Sequence, residues 1–190
     1  MKHKVYFADL THTGVTINAN NFPLGVGLVA AYAAQELNGD IEVSIYKFPE
    51  ELDQALRREA PHVLCMSNYS WNANLSYTFA KSVKRHHPEV AVIFGGPNFP
   101  LNRKLREAFL AGRPAIDFYI KWDGELAFTG LMRKLLDHNL DVGAMKTEGT
   151  LLANACYLAP HGYVDGPDQR VPDLTALPSP YLSGWAETGR

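Results

Sequence analysis

Residues 90–97 read Val-Ala-Val-Ile-Phe-Gly-Gly-Pro. Five apolar residues, mostly β-branched or aromatic, run into a glycine pair, which predicts a strand buried on both faces that ends in a sharp turn. Moving outward, His62–Ser67 (HVLCMS) is a second unbroken apolar run, and Lys4–Ala8 (KVYFA) is a shorter one. Glu42–Phe48 (EVSIYKF) sets Val43, Ile45 and Lys47 on one face, and Asp117–Lys121 (DFYIK) supplies a fifth strand. Helical patterns fill the intervals. Leu24–Leu37 starts after Pro23, stops at Asn38-Gly39, and is apolar almost all round, which predicts a well-buried helix. Pro49–Glu59 turns Leu52, Ala55 and Leu56 inward, and Trp71, Leu75, Thr78, Phe79, Ser82 and Val83 recur at helical spacing before Pro88. Arg103–Ala111 is closed by Gly112, and Glu125–His138 carries Leu126, Leu131, Leu135 and Leu136. Strand and helix alternate five times with tight connections. That order predicts an α/β fold: a doubly wound five-stranded parallel sheet, three layers deep, Rossmann-like or flavodoxin-like.

From about Gly149 the alternation breaks. Thr150–Leu158 and Tyr163–Val164 suit a small hairpin, and Pro167, Pro172, Pro178 and Pro180 then punctuate an irregular connector. The expected division is residues 1–140 as the nucleotide-fold domain and 141–190 as hairpin and connector. Composition narrows the function. With 18 Lys+Arg against 20 Asp+Glu, the net charge of -2 offers no broad basic face for nucleic acid. Two cysteines, Cys65 and Cys156, cannot build a disulfide scaffold, a four-cysteine zinc site or a self-contained iron–sulfur cluster. Cys65 lies in an apolar strand and reads as inert core, and Cys156 has no activating neighbour in sequence. No apolar run reaches the ~20 residues of a membrane span, and the amino terminus lacks a signal-peptide profile. The expectation is a soluble cytoplasmic domain.

In such a sheet, ligands bind beyond the carboxyl ends of the strands. Four connections therefore matter. The first, Asp9–Phe22 (DLTHTGVTINANNF), is long for this position and carries Asp9, Thr11, His12, Thr13, Asn18, Asn20 and Asn21, which suits a large neutral ligand rich in amides. The second leaves its strand at Ser67, a small hydroxyl residue that permits close approach; Tyr69 and Trp71 could flank a planar group, although Trp71 packed beneath its helix and Asn72 capping it is the simpler reading. The third, Gly95-Gly96-Pro97, bares the backbone at the mouth of the turn, as any sharp turn would. In the fourth, Asp123-Gly124-Glu125 could accept hydrogen bonds or cap the next helix. The string Gly25-x-Gly27-x-x-Ala30 imitates a dinucleotide fingerprint, but it lies inside a helix far from any strand end, so a nicotinamide site is rejected. Nucleophile-elbow, P-loop and H-E-x-x-H motifs are absent from the sequence.

These loops together resemble the cobalamin-binding domain found at the front of many radical S-adenosylmethionine enzymes. The wider cobalamin-binding family carries D-x-H-x-x-G after the first strand, S-x-L after the third and Gly-Gly after the fourth. The corresponding segments are Asp9-Leu10-Thr11-His12-Thr13-Gly14, Ser67-Asn68-Tyr69 and Gly95-Gly96, with 25 residues between Tyr69 and Gly95. His12 stands three residues after Asp9 instead of two, which resembles the radical-enzyme branch that lacks a cobalt-ligating histidine; an amide contact is expected of His12 and no metal ligand is assigned. NFPLGVGLVAAY, SNYSWN, IFGGPN and the run from Asp117 to Glu125 resemble that branch in order and position. Pro172-Asp173-Leu174 and Leu177–Gly184 resemble its link to the radical domain. The resemblance implies that cobalamin's nucleotide tail enters a slot at this edge, with Asp9, Thr11, His12, Thr13, Gly14, Ser67, Asn68, Tyr69, Gly95, Gly96, Pro97, Gly124 and Glu125 as candidate contacts. It implies no catalytic residue within these positions. A carboxy-terminal radical S-adenosylmethionine domain is implied as partner, bringing a 4Fe-4S cluster, S-adenosylmethionine and a small-molecule substrate, with methyl transfer as the expected reaction. The alternatives are a non-catalytic corrinoid carrier or sensor, and a module of this fold that has lost cobalamin binding.

Overall fold

The computed structural model describes residues 2–11 and 22–182. Seven strands form one sheet: β1 (His3–Ala8), β2 (Ile41–Tyr46), β3 (Val63–Ser67), β4 (Ala91–Gly95), β5 (Phe118–Ile120), β6 (Ala155–Ala159) and β7 (Gly162–Asp165). Their order is β2-β1-β3-β4-β5-β6-β7. The first five pair in parallel, while β5–β6 and β6–β7 pair antiparallel. The sheet thus has seven strands, two more than expected. The hairpin anticipated after Gly149 continues the sheet, because β5 still exposes an unpaired edge and β6 covers it. Cys156 and Tyr157 of β6 are wholly buried. Short strands between prolines carry too little periodicity to reveal that pairing.

Helices cover both faces. Each buried strand alternates its side chains between the two layers, so Val63 and Cys65 join one core while Leu64 and Met66 join the other. The first core lies beneath α1 (Leu24–Glu36), α5 (Gly124–Asp137) and α6 (Val142–Glu148). The second lies beneath α2 (Pro49–Arg58), α3 (Ala73–His86) and α4 (Arg103–Ala111). Helix α1 buries a stripe of Gly27, Ala30, Ala31 and Ala33 and leaves Leu24 47% exposed, so it is covered on one side only, contrary to the all-round burial expected from its composition. Small residues let its backbone approach the sheet and α5 closely. Helix α6 was not anticipated: its seven residues are too few to show a period. Asp141 caps it by accepting from Ala144 N at 2.9 Å, and Gly149 ends it at φ 70°. No helix among the described residues is long and apolar enough to cross a membrane.

Two ion clusters fix β5 and the hairpin. At the start of β5, Asp117 accepts from Val92 N (2.9 Å), Lys84 of α3 (2.5 Å) and Lys146 of α6 (3.0 Å), so one carboxylate joins both helical layers to the sheet. At the end of β7, Asp165 meets Lys121 (2.7 Å) and Arg106 (3.5 Å). Beyond β7 the chain is strapped back: Asn154 exchanges hydrogen bonds with Gln169, and Asp123 accepts from Val171 N and pairs with Arg170.

Removing Asp117 strands two lysines and a backbone N–H away from full solvation. Asp117→Ala is expected to cost about 3 kcal/mol in urea unfolding at neutral pH, and Lys146→Met less. Burial pushes the Asp165 carboxyl up, but the Lys121 hydrogen bond and the charges of Lys121 and Arg106 outweigh it and hold it below the usual value. Its stabilisation is therefore present above the unfolded value, about 3.9, and is lost as pH falls through the lower folded value. Asp165→Asn should lower the urea midpoint at pH 7, with the gap to wild type closing as pH drops below about 4.

Candidate functional site

Strands β1 and β3 are neighbours, yet the chain leaves them toward opposite faces: β1 leads to α1 and β3 to α3. This is the switch point where an open parallel sheet gapes. A cavity of about 520 Å³ opens at this edge, between the sheet and helices α1 and α5. Its buried wall is apolar, formed by Phe7, Cys65, Ile93 and Phe128, with Val26 and Val29 contributed by α1. The mouth is framed by Ser67, Tyr69, Gly95, Gly96, Pro97, Gly124 and Glu125, seven of the residues the sequence nominated.

The remaining nominees stand elsewhere. Asp9 sits behind the wall, where its Oδ1 accepts from Ser67 Oγ (2.6 Å) and Asn72 Nδ2 (3.2 Å). Burial raises its carboxyl above the usual range, and the hydrogen bonds from Ser67 and Asn72 offset only part of that rise. Asn72 also donates to Ser67 Oγ (2.9 Å) and the Leu10 carbonyl (3.3 Å), while its Oδ1 accepts from Tyr69 N (2.9 Å). It is wholly buried and makes no side-chain cap to α3. The capping role expected of Asn72 is thus replaced by a clamp between the loops after β1 and β3. Only the spacing of an asparagine five residues after Ser67 could have hinted at it.

Asn68 is buried too and points away from the cavity. Its amide donates to the Asn98 carbonyl (2.7 Å) and Tyr119 Oη (3.0 Å), and Tyr119 donates in turn to the Gly96 carbonyl (2.8 Å). Gly96 has φ 120°, and a Cβ there would lie 2.9 Å from the Asn68 carbonyl oxygen. That glycine is required by the turn itself. Gly95 differs, since a Cβ would make ordinary contact with Ile120 at 3.5 Å, so its bareness leaves room on the cavity side. Gly124 admits Val29, whose Cγ2 would be 2.9 Å from a Cβ, and so lets α1 and α5 close together.

Trp71 does not pack beneath its helix. It is 57% exposed and stacks on Tyr69, with ring centroids 4.4 Å apart and planes 8° off parallel. Asp123, weighed as a cap for α5, makes no cap hydrogen bond and instead holds the strap. Thr11 is tied through its N–H to the Lys47 carbonyl (3.0 Å) and does not line the cavity. His12, Thr13, Gly14, Asn18, Asn20 and Asn21 lie outside the described residues, as do Ser183 and Gly184 of the connector motif.

Several lining residues had no distinct signal in the sequence. Cys65, read as inert core, faces the cavity, although burial pushes its thiol well above the ordinary value and keeps it unreactive. Cys156 is equally quiet, its thiol pushed up to about 12 chiefly by burial. Lys121 and Arg106 contribute charge to the wall, but both are committed to Asp165. Trp122 lines the rim at φ 61°, a left-handed conformation that non-glycine residues rarely hold outside constrained sites. Among the described residues no three His, Cys, Asp or Glu side chains gather as metal ligands. Behind the mouth, Asp9, Ser67 and Asn72 pair with one another and fix the turns that frame the cavity.

Residues 12–132 match the model of the B12 binding domain family, more than half of the chain. The chain is 30% identical over 187 residues to 2-(S-pantetheinyl)-carbapenam-3-carboxylate methyltransferase of Streptantibioticus cattleyicolor, a match covering 95% of this chain and 25% of that protein. It is 30% identical over 185 residues to the cobalamin-dependent radical SAM methyltransferase TokK of Streptomyces tokunonensis, with the same coverage. Among solved structures, the cobalamin-dependent S-adenosylmethionine radical enzyme OxsB with aqua-cobalamin and S-adenosylmethionine bound superposes with a TM-score of 0.67 at 14% identity, over 97% of this chain and 25% of that one. That last likeness is one of fold. The chain spans about a quarter of the length of these relatives. By the family match and the arrangement of its sheet edge, this chain belongs to the B12-binding domain family.

Proposed function

We propose that this chain binds cobalamin at the carboxyl edge of its sheet, with the nucleotide tail in the cavity, as the cofactor domain of a longer radical S-adenosylmethionine enzyme that transfers methyl groups. The single observation that carries the reading is the apolar cavity at the β1–β3 switch point, framed by Ser67 and Gly95-Gly96. A cavity of about 520 Å³ lies in the range that encloses one drug-sized group. It suits the nucleotide tail and leaves the broader corrin outside, over the rim. Bound cobalamin would supply a cobalt–carbon bond from which a methyl group can depart. The chain's own residues supply placement. Gly95 leaves space at the mouth, Pro97 and Gly124 hold the turns on either side, and Tyr69 offers an aromatic face braced by Trp71. Asp9, Asn68 and Asn72 keep those turns rigid from behind. Glu125 on the rim, and Thr11, His12, Thr13 and Gly14 in the loop after β1, are assigned to the corrin amides.

In this reading residues 1–140 form the cobalamin module and 141–190 lead toward the radical domain. That domain would bring the 4Fe-4S cluster, S-adenosylmethionine and the substrate pocket. The strap from Gly166 to Val171, pinned by Asn154 and Asp123, supports a fixed direction of exit. A cytoplasmic setting accords with oxygen-sensitive cofactors of that kind.

Hydroxocobalamin added to the apo protein should give a stoichiometric corrinoid absorbance that survives gel filtration. Absence of binding under both reducing and oxidising conditions would sink the proposal. Gly95→Leu should weaken that binding at least tenfold by filling the mouth, with an unchanged far-ultraviolet dichroism spectrum. A second expectation concerns His12: its replacement by alanine should leave the lower-axial signature of the bound cobalt unaltered in electron paramagnetic resonance, and a changed signature would make His12 a ligand.

A further inference from the structure

Four non-glycine residues among those described hold a positive φ: Trp122 (61°), Asn139 (53°), Leu140 (63°) and Asn154 (57°). Asparagine visits this left-handed region with little penalty, which accounts for two of them. Leu140 follows the end of α5, where its N–H donates to the Leu135 carbonyl at 2.7 Å and its side chain packs on the first core. Neither reason applies to Trp122. It is 46% exposed, joins neither core, and stands on the rim of the cavity. A bulky residue in this conformation costs stability and persists only where its surroundings impose it.

Here they do. On one side, Lys121 N donates to the Asn154 carbonyl at 2.9 Å, and the Lys121 ammonium pairs with Asp165 (2.7 Å) and Asp168 (2.5 Å). On the other, the Asp123 carbonyl accepts from Asn154 Nδ2 at 3.1 Å, while the Asp123 carboxylate accepts from Val171 N at 2.9 Å. Both neighbours of Trp122 are thus clamped to the hairpin and the strap, and the residue between them cannot relax. The strap also reaches the ring. Asp168 accepts hydrogen bonds from Lys121 and then from the Trp122 side chain, and these hold its carboxyl below the usual range. With its one donor engaged by the strap, the indole has only carbon surface left to offer a ligand.

We propose that Trp122 is a ligand-contacting residue, held in a strained backbone by the strap, whose indole packs against the periphery of the bound corrin at the mouth of the cavity. The inference rests on the cofactor reading above and adds a residue to it. A corrin carries methyl groups and methylene arms around its ring, and the exposed indole gives them apolar surface to bury against. Tryptophan supplies that area with two rotatable bonds, so little freedom is lost on contact. Asp168 is a positioning residue, since it touches the indole and not the ligand.

The test compares Trp122→Ala with Trp122→Gly in the apo protein, by urea unfolding and by titration with hydroxocobalamin. Glycine adopts a φ of 61° without penalty and alanine does not. Trp122→Gly should therefore unfold at a higher urea concentration than Trp122→Ala, the reverse of the order at ordinary positions. Both variants should lose affinity by the same factor, about fivefold, because both lack the indole. Asp168→Ala should weaken binding about twofold by itself and not at all in the Trp122→Gly background, as expected of residues that act as a unit. Wild-type affinity in either variant, or affinities that follow the urea midpoints, would overturn the contact. A lower midpoint for Trp122→Gly than for Trp122→Ala, or its failure to fold, would overturn the strain. An Asp168→Ala effect that persists without the indole would overturn the positioning role. In each of these cases the wild-type chain still binds hydroxocobalamin; if it does not, the cofactor reading itself falls, and this inference with it.

Discussion

The site depends on three hydrogen-bonding side chains that close a gap the topology opens. The chain leaves β1 and β3 toward opposite faces, so nothing in the backbone ladder joins the two loops. Asn72 does so with one amide, donating to Asp9, Ser67 and the Leu10 carbonyl while accepting from Tyr69 N. Such a buried polar knot holds only when every member is satisfied, since an unpaired group there costs its desolvation. Here the satisfaction has a further effect. Ser67 gives its only proton to Asp9, so toward the cavity its hydroxyl can only accept.

The same economy governs the other side of the cavity. Lys121 and Arg106 are cations in its wall, and both pair with Asp165 at the end of β7. The hairpin added to β5 is therefore part of how the site is built. It covers the sheet edge, brings a carboxylate to the wall's cations, and through Asn154 sets where the strap from Gly166 to Val171 runs. Asp117 performs the matching task at the amino end of β5, tying α3 and α6 to one carboxylate.

Most of the layered architecture was legible because burial on both faces writes itself into sequence as unbroken apolar runs. Val90–Phe94 and His62–Ser67 mark the central strands for that reason. Ser67, Tyr69, Gly95, Gly96, Pro97, Gly124 and Glu125, which line the cavity, could be singled out in sequence because they end strands or open helices at the carboxyl edge of the sheet. Asn72 and Asn68 were harder. A buried asparagine looks in sequence like a turn or a cap, and its partners here lie as many as 63 residues away. Trp71 was misjudged since an aromatic at helical spacing normally packs inward, whereas Tyr69 offers it a stacking partner outside. The hairpin was legible but its pairing with β5 was not, since that joins segments distant in sequence, and α6 escaped because seven residues show too little periodicity to separate it from a loop.

Sequence by itself determined the alternation of strand and helix, the parallel core and the turns after β3, β4 and β5 that frame the cavity. These are local properties, set by hydrophobic period, helix stops and glycine pairs. Tertiary structure alone decided the seven-stranded sheet, the ion pairs of Lys121 and Arg106 with Asp165, and the apolar wall of Phe7, Cys65, Ile93 and Phe128. Those features arise from register between strands and from ion pairs between distant elements. Register is a relation between segments, and no single segment encodes it.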